Sequence, residues 1–327
     1  MINKSVNRRS NTNSGESQVR SGSLGGEGNV GSDEGNIAGR SGFGEHGGRR
    51  NRRKWGSTIA WIIAWLCAAI VVFGLADMLI TVLFKGFSAF RWNMLFTPTQ
   101  GIAGGLENAI LGTFELIIVA MVIAAPLGIL GGVFVSEYAG TRLADSIRFI
   151  AEVLSGVPSI VVGYAGYLLI VLRFGWGFSA LAGAIALTSI MLPYILHITE
   201  SSLQQVPLTQ REAAWALGMT KSQSITKIVW RPAAGGIVTG LLMALSIGMG
   251  ETAPLLYTAG WSTLNPTGQL THQPVGYLTY VVWTYLDQPY PQARALAYAA
   301  ALILVALILL IHLVLRAWVW RKYGFER

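Results

Sequence analysis

The sequence predicts an all-α polytopic membrane protein with six transmembrane helices, a cytosolic helical loop between spans four and five, and a disordered N-terminal tail. Three observations predict it. Of 327 residues 52% are hydrophobic and only 12% charged, a balance outside that of ordinary soluble domains. The apolar residues gather into segments long enough for a helix to cross a bilayer, about 20 residues each. Lys and Arg fall unequally on the two sides of those segments, as the positive-inside rule requires.

The same composition excludes other classes. The single cysteine, Cys67, lies inside an apolar segment, so one chain builds neither a disulfide framework nor a thiolate metal site. The net charge of +8 does not point to nucleic acid, because the basic residues stand beside apolar segments and no basic face is interleaved with aromatics.

Residues 1–54 are rich in Gly, Ser, Asn and charge and nearly free of bulky apolar residues. Such a stretch buries too little surface to offset its ordering entropy and is expected to be a disordered cytosolic tail. Arg49, Arg50, Arg52, Arg53 and Lys54 then hold the start of the first span, residues 57–83, in the cytosol, with attraction to anionic membrane lipid as a second role. Asp77 near its far end reads as an interfacial carboxylate. Residues 84–106, with Lys85, Arg91 and Pro98, read as an external loop.

The second span, about 109–134, contains Glu115, Pro126, Gly128, Gly131 and Gly132; small residues permit close helix packing in lipid. Glu137 follows at its cytosolic end, then Arg142 and Arg148. The third span, about 149–172, opens with Ser155, Gly156, Val157, Pro158 and Ser159. Irregular backbone at membrane depth survives only when buried in protein or lining a watery cavity, so this stretch is either a pathway segment or a glycine-mediated packing seam. Arg173 ends it on the outside. The fourth span is about 178–199, with His197 near its cytosolic end. The loop 200–231 is cytosolic, the fifth span about 233–256, and the sixth about 293–318. A short interfacial helix is expected at 274–286 within the external segment between the last two spans.

Ionisable groups inside spans are costly, of order 2.5–3.5 kcal/mol at a helix centre, and need a partner, a wet cavity or a place near the interface. Glu251, beside Thr252 and Pro254 in a break in span five, either caps freed backbone N–H groups, pairs with Arg173 or Arg294, or gates a pathway. Arg173 suits a tetrahedral oxyanion, because its guanidinium presents several fixed donors; it serves equally as an interfacial anchor. The sequence has no Walker A loop, no Gly-x-Ser-x-Gly elbow and no zinc spacing, so no enzyme site is expected.

The loop between spans four and five carries the sharpest pattern. A short helix is expected to start near Thr209 or Gln210, with Glu212 in its first turn and Gly218 at the position that ends it. Glu212, Ala213 and Ala214, then Gly218 and, after nine intervening residues, Ile228 resemble the EAA loop of ABC-transporter importer permeases. This chain departs from that pattern at Trp230 and Arg231, with its proline one place late at Pro232. The resemblance implies that the short helix is a coupling helix seated in a cleft of a cytosolic ATPase, with Glu212, Ala213, Ala214 and Gly218 as the coupling residues.

Further stretches narrow the resemblance to the permeases of phosphate importers. They are Ala125, Pro126, Leu127 and Gly128; Ser136 to Ala139; Ser155 to Ile160; Leu192, Pro193 and Tyr194; and Gly250 to Leu256. The residues concerned extend over an importer domain of about 106–318. This likeness implies a homologous second permease, two ATPase subunits and an external phosphate-binding protein as partners, with no nucleic acid. It also implies that ATP and Mg²⁺ belong to the ATPase, that this chain binds no cofactor, and that Ser155, Gly156, Pro158, Ser159, Arg173, Glu251 and Thr252 belong to the translocation pathway. Two other readings stay open: a permease for another oxyanion such as sulfate, molybdate or phosphonate, and a non-transport membrane scaffold.

Overall fold

The structure, a computed structural model, describes residues 46–323. The tail expected to be disordered lies outside them except for 46–54, which are helical and belong to α1, His46–Ala89. Contacts divide the chain into two units, Met1–Leu66 and Cys67–Arg327. Of the first, the described part is the start of α1; the second holds everything that follows.

Among the described residues, five helices are long and apolar enough to cross a membrane: Ala60–Ala89, Glu107–Glu137, Ala180–Gln204, Lys221–Gly250 and Pro291–Trp318. A bent pair, Arg142–Gly156 with Ser159–Arg173, makes a sixth crossing when taken as one broken span. In chain order α2 is Glu107–Glu137, α3 Arg142–Gly156, α4 Ser159–Gly166 and α5 Ala180–Gln204. Then come α6 Leu208–Ala216, α7 Lys221–Gln223, α8 Trp230–Gly250, α9 Ala253–Thr258, α10 Leu278–Leu286 and α11 Pro291–Tyr323. A two-stranded hairpin, β1 Thr99–Gln100 with β2 Ala103–Gly104, precedes α2.

The core is built by α2, α5, α8 and α9, with Leu116, Leu187, Met191, Ile195 and Leu255 all buried in one cluster. The helices α2 and α5 approach closely because α2 offers no side chain where α5 needs room: a Cβ on Gly128 would fall 2.7 Å from the Ile195 side chain, and one on Gly132 2.6 Å from that of Thr199. This is the small-residue packing that lipid-embedded helices favour. By contrast, α1 leaves Ile70, Phe73 and Met78 exposed, with Phe73 at 76%, as a helix facing lipid does.

The third span is not the single helix expected over 149–172. Pro158 has no N–H and pushes the residue before it out of the helical region; Val157 accordingly sits at φ −76°, ψ 128°, and the chain bends by 101°. Upstream, α3 is amphipathic. Arg142, Asp145, Arg148 and Glu152 interrupt it, while Leu143, Phe149, Ile150 and Val153 are exposed. At 15 residues, or about 22 Å, it has the length and pattern of an interfacial helix rather than a span. Downstream, α4 widens into a π-helical turn, Tyr167–Arg173; these 15 residues are the more apolar half of the bent pair, which is long enough for a crossing only when its two halves are taken together.

The fifth span is likewise divided. Its helix begins at Lys221 rather than 233, passes through a π-helical segment at Ser224–Val229 and continues as α8 to Gly250. Pro232 cannot bond back to Ile228, and the widened turns just before it absorb that missing bond. After the break at Glu251 and Thr252, α9 carries the span on. The expected interfacial helix is α10, reached by a connection that dips back into the protein, where Tyr277 and Leu278 are buried.

Candidate functional site

Two features singled out from the sequence are brought face to face. The break at Val157 and Pro158 lies beside the break at Glu251 and Thr252, because α4 and α9 run along each other. A Cβ on Gly163 would fall 2.5 Å from the Pro254 Cα, and one on Gly166 2.9 Å from the Thr258 side chain. The Ser159 hydroxyl, at the first turn of α4, comes near enough to the Glu251 carboxylate to influence it. The Glu251 carbonyl, freed where α8 ends, accepts from the Thr279 hydroxyl at 2.9 Å. Three elements, the starts of α4 and α10 and the break after α8, therefore converge on one residue.

Around that point Ser159, Glu251 and Thr252 are half-buried, whereas Ser155, Gly156 and Pro158 are exposed. The face of α4 beyond them is open and apolar, with Ile160, Val161, Tyr164 and Leu168 at 44–52% exposure. The result is one wall of a groove: hydroxyls and one carboxylate at a helix break, flanked by an apolar face that nothing among the described residues covers.

Neither expected ion-pair partner reaches Glu251. Arg173 stands at the far end of the π-helical turn, exposed and 14 residues from Ser159, about 20 Å along a helix. Arg294 directs its Nε to the Gln288 carbonyl at 2.9 Å. A hydroxyl, that of Ser159, lies near Glu251 where a cation was expected, and the carboxylate forms no ion pair among the described residues.

The second feature is the short helix α6. It begins after Pro207, close to the start expected at Thr209 or Gln210, and ends in a Schellman motif. Met219 N–H donates to the Ala214 carbonyl at 3.1 Å and Gly218 N–H to the Trp215 carbonyl at 2.9 Å, with Gly218 at φ +74°, the left-handed conformation this end requires. Thr220 and Gln223 then form a capping box that starts α7. Glu212, Ala213 and Gly218 are exposed, together with Leu208, Trp215 and Leu217, the last at 78%. Ala214, placed on the same docking face from the sequence, turns inward and is 2% exposed.

Sequence reasoning missed what holds α6 in place. The Arg211 guanidinium pairs with the Glu137 carboxylate at the end of α2, both groups being largely buried, and its second nitrogen donates to the Leu203 carbonyl at 2.9 Å. From the other flank, Lys221 donates to the Glu137 carbonyl and lies 4.0 Å from the centroid of the Tyr138 ring. One residue of α2 is thus gripped from both sides of the loop. A second pair, Arg148 of α3 with Glu200 of α5, is joined by Gln204 at 3.0 Å and ties α3 to the same end. The signal available was cations flanking the loop pattern and a carboxylate where α2 stops; their pairing was not readable.

The two features are mechanically continuous. Lys221–Gly250 is one helix of 30 residues, about 45 Å long, that starts at the α6 turn and stops at Glu251.

Residues 125–322 match the family described as "Binding-protein-dependent transport system inner membrane component". The chain is 46% identical over 269 residues to "Phosphate transport system permease protein PstA 2" of Mycobacterium bovis, covering 82% of this chain and 89% of that one. It is 39% identical over 231 residues to "Phosphate transport system permease protein PstA" of Xylella fastidiosa (69% and 78%). With the protein of that name in Yersinia pestis the identity is 36% over 280 residues (82% and 92%).

Proposed function

Because the chain belongs to the family of inner membrane components of binding-protein-dependent transport systems, we propose that it is the permease subunit through which an ATP-driven importer passes inorganic phosphate. It is a multi-pass membrane transport subunit, and ATP hydrolysis belongs to a separate subunit. The substrate follows from relatives named as phosphate transport permeases, 36–46% identical over most of their length. The observation that carries the mechanism is the single helix Lys221–Gly250, which links the exposed α6 to the break at Glu251.

In this reading α6 docks into the ATPase through Glu212, Ala213 and the turn at Gly218, with Ala214 packing it to the body of the permease. Displacement of α6 on nucleotide binding moves α8 along its axis and alters the break where Glu251 meets Ser159. Ser155, Gly156, Pro158, Ser159, Glu251 and Thr252 form one side of the pathway, and Arg173 stands at its outer mouth to meet the anion. The groove is half-lined because a homologous second permease, PstC-like, supplies the other wall. Two PstB-like ATPases sit below and a PstS-like binding protein delivers phosphate from outside. The protein lies in the cytoplasmic membrane with both termini in the cytosol, the orientation that the distribution of Lys and Arg favours.

The test is ATP hydrolysis by the assembled complex in liposomes, with the binding protein loaded with phosphate, sulfate or molybdate. Stimulation by phosphate alone is the expected result. Stimulation by another oxyanion would keep the architecture and overturn the substrate, and a purified chain that associates with no ATPase would overturn the permease reading in favour of a scaffold.

A further inference from the structure

At the end of the bundle opposite α6, α1 crosses α11 so closely that a Cβ on Gly86 would lie 2.8 Å from the Leu302 Cβ. Beyond the crossing, residues of the 3₁₀ turn Trp92–Leu95 and of strand β2 join those of α1 and α11. They line a cavity of about 880 Å³. Lys85 from α1, Arg91 from the start of the turn and Arg294 from the first turn of α11 all line it, with Asn93, Thr97 and Gln292 among their neighbours and no carboxylate. The sequence places only four cations on this side of the membrane, Lys85, Arg91, Arg173 and Arg294, and three of them share this one cavity.

Two of the three are held in position. The Lys85 ammonium lies 3.3 Å from the Tyr298 hydroxyl and 4.9 Å from that ring's centroid. Arg294 is oriented by its Nε bond to the Gln288 carbonyl. None of the three forms an ion pair among the described residues. Like charges gathered around a concave space repel one another and raise the local concentration of anions. The guanidinium forks of Arg91 and Arg294 suit phosphate oxygens in particular.

The surroundings specify depth. Phe87, Trp92 and Phe96, each next in sequence or nearly so to a lining residue, are 68–75% exposed, and aromatic side chains of this kind collect at the level of lipid headgroups. The cavity has far more room than one tetrahedral anion occupies and falls within the size range of sites for organic ligands, about 300–1,000 Å³.

We propose that this cavity binds a phosphate group at the outer membrane face, presented by the headgroup of an anionic lipid or free in solution; its volume and neighbouring aromatics favour the lipid. The site is separate from the pathway and does not depend on which substrate is carried. Only its assignment to the outer face rests on the orientation argued above.

The test uses the full chain in its assembled complex, by native mass spectrometry with phosphatidylglycerol or phosphatidylcholine titrated into a neutral detergent, and by capture of radioactive inorganic phosphate in the same detergent without lipid. Wild type retains phosphatidylglycerol over phosphatidylcholine, and R91Q/R294Q loses that retention by about ten-fold. R91K/R294K keeps most of it, separating charge from any effect on folding. K227Q, which removes one cation at the other end, leaves it unchanged. Loss by R91Q/R294Q of captured inorganic phosphate alone supports the site with free phosphate as its ligand. Equal retention of lipid and equal capture of phosphate by wild type and R91Q/R294Q, with matching unfolding midpoints, overturns the proposal.

Discussion

At the level of single residues, the positions that matter are those where an atom more or less has nowhere to go. Gly218 has open space around it, with nothing within 4 Å of a Cβ, yet its φ of +74° is one that L side chains rarely adopt. Gly218→Ala should therefore strain the end of α6 by about 1 kcal/mol without a clash, leaving the protein in the membrane and the complex assembled. Binding-protein-stimulated ATP hydrolysis is expected to fall several-fold. Gly218→Asn, which tolerates the left-handed conformation better, should fall less, and equal activity of both with wild type would refute the idea. Gly163 is the opposite case. Its missing Cβ leaves room for the Pro254 backbone at 2.5 Å, which cannot rotate aside as a side chain can. Gly163→Val should push α9 off α4 and reduce phosphate uptake at least ten-fold, while Ile160→Val on the exposed side of α4 should leave uptake within two-fold in the same liposome assay. The motif holding Gly218 was legible as a motif. The inward turn of Ala214 was not, because a nine-residue helix with alanines on several sides carries no apolar stripe to orient it.

Among elements, those whose apolar pattern is uninterrupted form single helices: α2, α5 and α11 overlap the stretches expected of the second, fourth and sixth spans. The third and fifth spans were less legible, since hydropathy averages over a window and registers neither the 101° bend at Pro158 nor the half-helix that follows Gly250. The attachment of α6 was the least legible, because Arg211 and Glu137 are 74 residues apart and only the folded chain brings them together. That attachment makes a measurable claim. Removing either member of a largely buried ion pair strands the other charge, at a cost on the order of 3 kcal/mol. Glu137→Gln and Arg211→Gln should each lower the unfolding midpoint of the purified protein, followed by tryptophan fluorescence. The double variant should lose little more than the worse single one. Additive losses would show that the two side chains do not depend on each other.

For the molecule as a whole, the distribution of Lys and Arg favours the orientation proposed above, and accessibility can check it. In a protein with Cys67 replaced by Ser, a cysteine at Arg173 should react with a membrane-impermeant maleimide applied from outside, and one at Lys227, exposed beside α7, only after permeabilisation. The reverse pattern would invert every assignment of inside and outside made above. The convergence of Lys85, Arg91 and Arg294 on one cavity belongs to this scale too: the sequence showed how few cations that side carries, but not that the first and last helices carry them to the same place. The grip on Glu137 bears on how such permeases are taken apart and recombined. A chimera that exchanges only residues 200–231 for those of a relative brings its own Arg211 and Lys221 equivalents to a foreign α2 terminus. The smallest transplantable unit is therefore the loop together with Glu137 and Tyr138, and a graft without them is orphaned at both of its fastenings.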